Sequence, residues 1–400
     1  MHPRPWRRSS GNRPFWILPA IIISQFTGTS LWFASNAVMG DLQQAWGIGS
    51  AALGYMTASV QFGFIFGTFL FAFFAVSDRY SPRIIFSLCS VLGALANLGI
   101  CLGADGLPSL MMLRFITGFF LAGVYPVGMK IAAGWYEKGL GRALGFLVGA
   151  LVVGTAFPHL LKSIGRSVAW ESVIVAISII SSAGGLLMFW LVPDGPYLFK
   201  GAQFSGRAFF AIFRSKNLRA AAFGYFGHMW ELYTLWAFVP LYLGKYLAKN
   251  TVTADVSFWA FCVIAAGLLG CVGGGLMSKK MGSAKVAFIQ LAASGGCCLV
   301  SVFMYQAALT VFLCFLIFWG IVVAGDSPQF SALTARTAPQ ESVGSALTIV
   351  NCIGFSITII SIHLVNYLAD FVSANYILLF LLPGPLFGLI NLWPLLEETR

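Results

Sequence analysis

Three ionisable residues lie deep inside apolar runs of this 400-residue chain: Arg114, Glu231 and Asp326. A charge at the middle of a bilayer costs at least ~2.5–3.5 kcal/mol, so each needs a partner or a water-filled cavity. Glu231 sits in the segment Gly227-His228-Met229-Trp230-Glu231-Leu232-Tyr233-Thr234-Leu235-Trp236. Positions 228, 231 and 235 share one helical face, which places His228 and Glu231 to share a proton. A carboxyl group that takes up and releases a proton there is what coupling to a proton gradient requires. The alternative is a protonated Glu231 that donates one hydrogen bond across a helix interface. Asp326 lies between Gly325 and Ser327-Pro328, where a helix break frees backbone carbonyls and admits solvent, so a cavity position is expected. Arg114 has no acid within one helical turn; its counterpart is either an acid on another helix or an anionic substrate.

Neutral polar residues extend this set. Gln25, Thr29, Trp32 and Asn36 recur every three or four residues in the first apolar run, and Gln61 lies in the second. With Trp230 and Tyr233 they are candidates to line a pathway, although such stripes also knit helices together. His159 and His363 occupy similar contexts, Phe157-Pro158-His159-Leu160 and Ser361-Ile362-His363-Leu364, and are read as a gating pair or as histidines that simply meet water.

The elements that must hold these residues are membrane helices. Of the chain, 58% is apolar and 9% charged, against about a quarter charged in a soluble domain, so the solvent is lipid. Runs long enough to cross ~30 Å of hydrocarbon lie at 15–38, 50–76, 84–104, 109–131, 141–163 and 168–192, then at 219–243, 254–277, 285–304, 310–333, 343–367 and 373–395. The expected fold is an all-α membrane protein of twelve transmembrane helices in two pseudo-symmetric six-helix bundles, 1–192 and 219–400. Residues 193–218 form the linker, opening on Pro193-Asp194-Gly195-Pro196 and carrying Lys200, Arg207, Arg214 and Lys216. The run from Phe15 follows Arg4, Arg7, Arg8 and Arg13 and is too long for a cleaved signal, so it reads as the first span. With the N-terminus in the cytoplasm, only Lys162, Arg166, Lys245 and Lys249 fall outside, which predicts a multi-pass protein of the cytoplasmic membrane with both termini inside. Gly118, Gly123 and Pro126 recur 202 residues later as Gly320, Gly325 and Pro328, the mark of a duplication. Two similar bundles can rock about a central site and expose it to either side.

The segment Ser77-Asp78-Arg79-Tyr80-Ser81-Pro82-Arg83 resembles the cytoplasmic loop motif of the major facilitator superfamily, Gly-x-x-x-Asp-Arg-x-Gly-Arg-Arg. Phe74, Ser81 and Pro82 depart from it. Its second-half equivalent, Gly275 to Gly282, carries Lys279 at the acidic position. Arg114-Phe115-Ile116-Thr117-Gly118 is similar to the family's fourth-span pattern, and the resemblance extends over residues 15–395. It implies a cytoplasmic gate of Asp78, Arg79 and Arg83 that latches the halves in the outward-open state, with the second latch altered by Lys279. The antiporter pattern Gly-x-x-x-Gly-Pro-x-x-Gly is not met by Gly149 to Pro158, which argues against drug efflux.

Other classes fit less well. The net charge of +11 is spread over short gaps between apolar runs rather than gathered on a soluble face, so nucleic acid is not an expected partner. The eight cysteines fall in apolar runs without a Cys-x-x-Cys pair, and neither a disulfide framework nor a metal site is expected. The sequence contains no phosphate loop, no His-Glu-x-x-His and no Gly-x-Ser-x-Gly, so no cofactor is expected and an intramembrane enzyme is a minor alternative. The expected function is a secondary transporter, working as a monomer in the lipid bilayer, that takes up a small organic anion or metabolite with H+ as coupling ion. Facilitated diffusion or export of an amphipathic compound is the alternative, favoured by 12 Trp and 37 Phe.

Overall fold

The computed structural model describes residues 14–136, 140–165, 168–198 and 206–397. Arg4, Arg7, Arg8, Arg13, Arg166 and Lys200 lie outside the described residues. The chain runs through α1 (Ile17–Thr29), α2 (Ala52–Phe73), α3 (Pro82–Gly103), α4 (Leu107–Trp135), α5 (Leu140–Ile164) and α6 (Trp170–Leu191). It continues through α7 (Lys216–Asn250), α8 (Val256–Met281), α9 (Ser283–Met304), α10 (Leu309–Thr337), α11 (Val343–Leu368) and α12 (Ala374–Leu396). All but α1 and α7 are long and apolar enough to cross a bilayer, ten helices among the described residues. The 35-residue α7 has the length but carries Lys216, Arg219, Lys245 and Lys249 in its end turns.

Two boundaries differ from the sequence reading. The first run is not one helix: α1 ends at Thr29, the chain turns through Ser30–Phe33, and helix resumes as two short pieces, Ala34–Ala37 and Met39–Trp46. Hydroxyls cause the break. Thr27 Oγ1 donates to the Ser24 carbonyl (3.0 Å), Thr29 Oγ1 to that of Gln25 (2.8 Å) and Ser30 Oγ to that of Thr27 (2.6 Å). These bonds offer carbonyls another donor and loosen the helical ladder. Within 193–218, the described residues include the helix Arg207–Arg214, and α7 begins at Lys216, inside the expected linker.

The duplication is visible in the packing. Gly118 on α4 faces the Val60 carbonyl of α2, and Gly320 on α10 faces the Val263 carbonyl of α8. At either position a Cβ would strike that oxygen, so glycine alone permits the approach. Both α4 and α10 also break just before their prolines, at Ala122–Val124 ahead of Pro126 and at Asp326 ahead of Pro328, because proline brings no N–H to the preceding turn. Gly118→Leu is accordingly expected to cost at least about 1–3 kcal/mol through overpacking, read as a lower unfolding temperature of the purified protein.

Between the halves, α2 packs on α11 and α5 packs on α8. The loops after α2, α4 and α6 meet on one face: Ser81 Oγ donates to Asp194 (2.8 Å) and Trp135 Nε1 to the Pro193 carbonyl (2.8 Å). This is called the linker face below, and its opposite the far face.

Candidate functional site

A cavity of about 1060 Å³ opens between the halves on the linker face. Tyr125, Lys130 and Leu144 line it from the first half, and Lys279, Gln329 and Asn351 from the second. Towards the far face it stops at stacked rings. Trp32 lies 4.8 Å from Phe64, 5.5 Å from Tyr233 and 5.6 Å from Phe355 between ring centroids, and Tyr233 lies 5.2 Å from Trp236. Such contacts add ~0.5–1.5 kcal/mol each beyond burial, so the plug is a seal and not a loose contact. Beyond it the halves are bonded directly: Ser50 Oγ donates to Asp370 (3.3 Å) and Ser163 Oγ to Asp255. A space of about 20 Å³ remains under the plug, bordered by Tyr125, Tyr225, Tyr233, Ser327 and Phe355, room for about one water. The molecule is open to the linker face and closed to the far face.

Asp326 caps the second segment of α10 at the break, one residue before Ser327 and two before Pro328, both of which reach the hollow. Its Oδ1 lies 2.8 Å from His228 Nδ1, both side chains being 1% exposed. The ring nitrogen is not aligned for a well-formed hydrogen bond to that oxygen, so this is a close polar contact. His228 Nε2 and Asp326 Oδ2 have no hydrogen-bond partner, which leaves both groups with an unused site for a proton.

The expected His228 and Glu231 pair is therefore corrected. Three residues of helix turn His228 toward α10 and Glu231 toward α9. Glu231 Oε1 accepts from Ser294 Oγ (2.5 Å), Trp319 Nε1 (2.8 Å) and Cys298 Sγ (3.6 Å), and its side chain is fully buried. It joins three helices inside the second half as an acceptor and does not line the cavity.

Arg114 is corrected more strongly. Its partners among the described residues are not acids: Nη1 donates to the Leu31 carbonyl (3.0 Å) and to Asn97 Oδ1 (3.3 Å), and Nη2 donates to the Trp32 carbonyl. Asn97 in turn donates to Ser178 Oγ (3.0 Å) on α6. The break in α1 orphans backbone acceptors in a water-poor interior, and the planar guanidinium supplies several donors from one side chain. Arg114 is fully buried and does not line the cavity.

The polar stripe is likewise divided by the α1 break. Gln25 packs on Gly128, and Asn36 Nδ2 donates to Thr57 Oγ1 (2.9 Å). Gln61 is fully buried with both amide atoms unpaired. None of the three lines the cavity, because they lie among helices packed together in this state. Trp32 and Tyr233 form the plug. Trp230 faces away, donating to the Phe380 carbonyl (3.1 Å). His159 is buried, whereas His363 is half-buried and edges onto Tyr55 across the halves at 5.3 Å, so the two histidines are not equivalent.

At the linker face Asp78 binds Lys130 of its own half at 2.7 Å, Arg79 is exposed, and Arg83 donates to the Phe189 carbonyl (3.3 Å) while lying over its ring. Lys279 stands on the cavity wall. Lys130, Asn97, Ser294, Trp319 and the rings of Phe64 and Phe355 were not singled out by sequence. Lys130 had a usable signal, a cation one turn after Pro126; the others gain meaning only by contact across helices.

Comparison with known proteins follows the geometry. The sequence profile described as Major Facilitator Superfamily matches residues 21–396. A stretch of 141 residues, 34% of the chain, is 31% identical to a putative metabolite transport protein of Haemophilus influenzae and spans only 33% of that protein. Among solved structures, the fold is similar to the proton:xylose symporter XylE, with TM-score 0.75, 13% identity and 95% and 96% of the two chains covered. It is similar also to the nucleoside transporter NupG, with TM-score 0.71, 12% identity and 96% and 100% covered. A bacterial homologue of the human lysosomal transporter Spinster, inward-facing and unoccupied, aligns with TM-score 0.66 at 16% identity over 97% and 98%. With the duplicated helices, the cavity between halves and a profile match over nearly its whole length, this chain belongs to the Major Facilitator Superfamily of membrane transporters.

Proposed function

We propose that the chain is a proton-coupled secondary transporter that takes up a small organic anion or metabolite across a cytoplasmic membrane. The bundles 1–192 and 219–400 rock about the cavity, and the linker face is the cytoplasmic one, in keeping with the distribution of Lys and Arg. The observation that carries the reading is the His228 and Asp326 contact at the α10 break, beside residues that reach the hollow. A small shift at that break opens the pair to water, and a proton taken there from one side is released to the other when the bundles rock. Glu231 is a second proton-titratable acid deeper in the same half, held by donors from α9 and α10.

The cavity supports an anion. Its described lining has two cations, Lys130 and Lys279, against one acid, Asp78, and the rest of the wall is neutral. With Lys130 paired to Asp78, Lys279 is the net positive charge on the described wall, and a positive wall raises the local concentration of anions. Arg114 plays no part in this, since backbone carbonyls occupy it.

The test is reconstitution in liposomes with a pH dye inside and a panel of organic anions, sugars, amino acids and cationic drugs outside. Internal acidification on adding an anion is the expected result. Flux of an amphipathic solute without a pH change would favour facilitated diffusion instead. No flux and no pH change for any class, while a working reference transporter responds, would overturn the proposal.

A further inference from the structure

The helix Arg207–Arg214 between the two halves has one apolar and one basic side. At 100° per residue Phe209, Ile212 and Phe213 fall within one 100° sector, Arg207 and Arg214 lie together on another side, and Phe210 stands between the two, 40° from Arg214. Ile212 is buried against protein, whereas Phe209, Phe210 and Phe213 are exposed, Phe210 by 62%. The helix is nevertheless held in place. It packs on α7 and α11, and Arg219 Nη1 donates to the Phe213 carbonyl at 2.8 Å. Three phenylalanines presented outward on a fixed helix require an apolar cover.

The rings themselves lead to that cover. Phe210 lies 5.6 Å from Phe209, which lies 5.3 Å from Phe213; Phe213 lies 6.2 Å from Phe223 on α7, and Phe223 lies 5.4 Å from Phe387 on α12. Phe387 is exposed on a membrane-crossing helix, so its outer surface meets lipid. The ladder thus runs without a gap from hydrocarbon to the linker helix. At the linker-face ends of α1, α6 and α12, Trp16, Trp190 and Trp393 are also exposed, as in an aromatic belt at headgroup level. Beside this ladder, exposed Arg207 and Arg214 on the same helix, and Lys216 at the start of α7, stand where headgroups lie.

We infer that Arg207–Arg214 is an interfacial anchor lying in the membrane surface, with its phenylalanines at the hydrocarbon edge and its arginines on anionic phospholipid headgroups. Only Ser215, in extended backbone, separates it from α7, so it ties the entry of the second bundle to the charge of that lipid layer.

Hydrogen exchange followed by mass spectrometry on the full chain in nanodiscs tests this without reference to transport. Peptides over 206–215 are expected to exchange about tenfold more slowly in discs containing phosphatidylglycerol than in phosphatidylcholine alone. The double substitution Arg207→Gln and Arg214→Gln should remove that lipid difference. Phe209→Ser with Phe210→Ser should speed exchange in both lipids, while α9 stays protected in every variant. Equal wild-type rates in the two lipids, or a lipid difference that survives loss of both arginines, would overturn the anchor.

Discussion

Replacing Asp326 with Asn is expected to abolish accumulation driven by a pH gradient while preserving exchange of solute for solute. One proton per solute sets a ceiling of about tenfold accumulation per pH unit, and the variant should fall to simple equilibration. Asparagine keeps the size and one acceptor oxygen for the His228 contact but has no proton to gain or lose within the working range. The α10 break should survive as well, since Pro328 remains. Glu231→Gln is the informative contrast. A glutamine oxygen can still accept from Ser294 and Trp319, and Glu231 does not reach the cavity, so accumulation is expected to persist in that variant. Counterflow and concentrative uptake measured on the same proteoliposomes separate the outcomes. Full accumulation by Asp326→Asn would remove Asp326 as carrier, and loss in Glu231→Gln alone would move that role to Glu231.

Removing the Arg114 guanidinium is expected to weaken the fold before it affects any ligand. Arg114→Met leaves the Leu31 and Trp32 carbonyls and Asn97 Oδ1 without their donor. An orphaned buried acceptor costs ~1–3 kcal/mol, so the loss should be on the order of 2 kcal/mol or more, partly offset because an unpaired cation is no longer buried. Arg114→Lys retains charge but offers a single nitrogen, which cannot span the same acceptors with a planar fork; an intermediate loss is expected. The measurement is thermal unfolding of the purified protein without solute. An anion-binding role predicts the opposite pattern, unaltered unfolding with lost affinity, and that result would return Arg114 to the substrate site.

These two residues show where sequence reading reached and where it stopped. The break at Asp326 was legible from its own neighbours, Gly325 and Ser327-Pro328, because a helix break is a local property, whereas the cavity position expected for the acid falls to Ser327 and Pro328 and Asp326 itself stays buried behind them. Arg114 was recognised as needing a partner, but the partner was misjudged. The break in α1 that supplies its acceptors follows from Thr27, Thr29 and Ser30 bonding back onto carbonyls, and hydroxyl rotamers cannot be read from an apolar run. His228 and Glu231 share a helical face in the sequence, yet neighbouring helices hold them apart: Asp326 of α10 meets His228, while Ser294 of α9 and Trp319 of α10 donate to Glu231. The paired glycines Gly118 and Gly320 were legible as a repeat, and their close approach to facing carbonyls gives that repeat its physical cause.

By itself the sequence determined the solvent, the helical class, the repeated halves and the positions of the buried charges. Each follows from composition, run length or spacing along one chain, quantities that survive without knowing any neighbour. The tertiary structure alone decided that the cavity opens on the linker face, that rings around Trp32 seal the other, and which acceptor each buried ionisable group takes. Those outcomes depend on the register of one helix against another. A hydrogen bond or a ring contact forms over a few ångströms between residues up to hundreds of positions apart, and no periodicity within a single helix encodes that register.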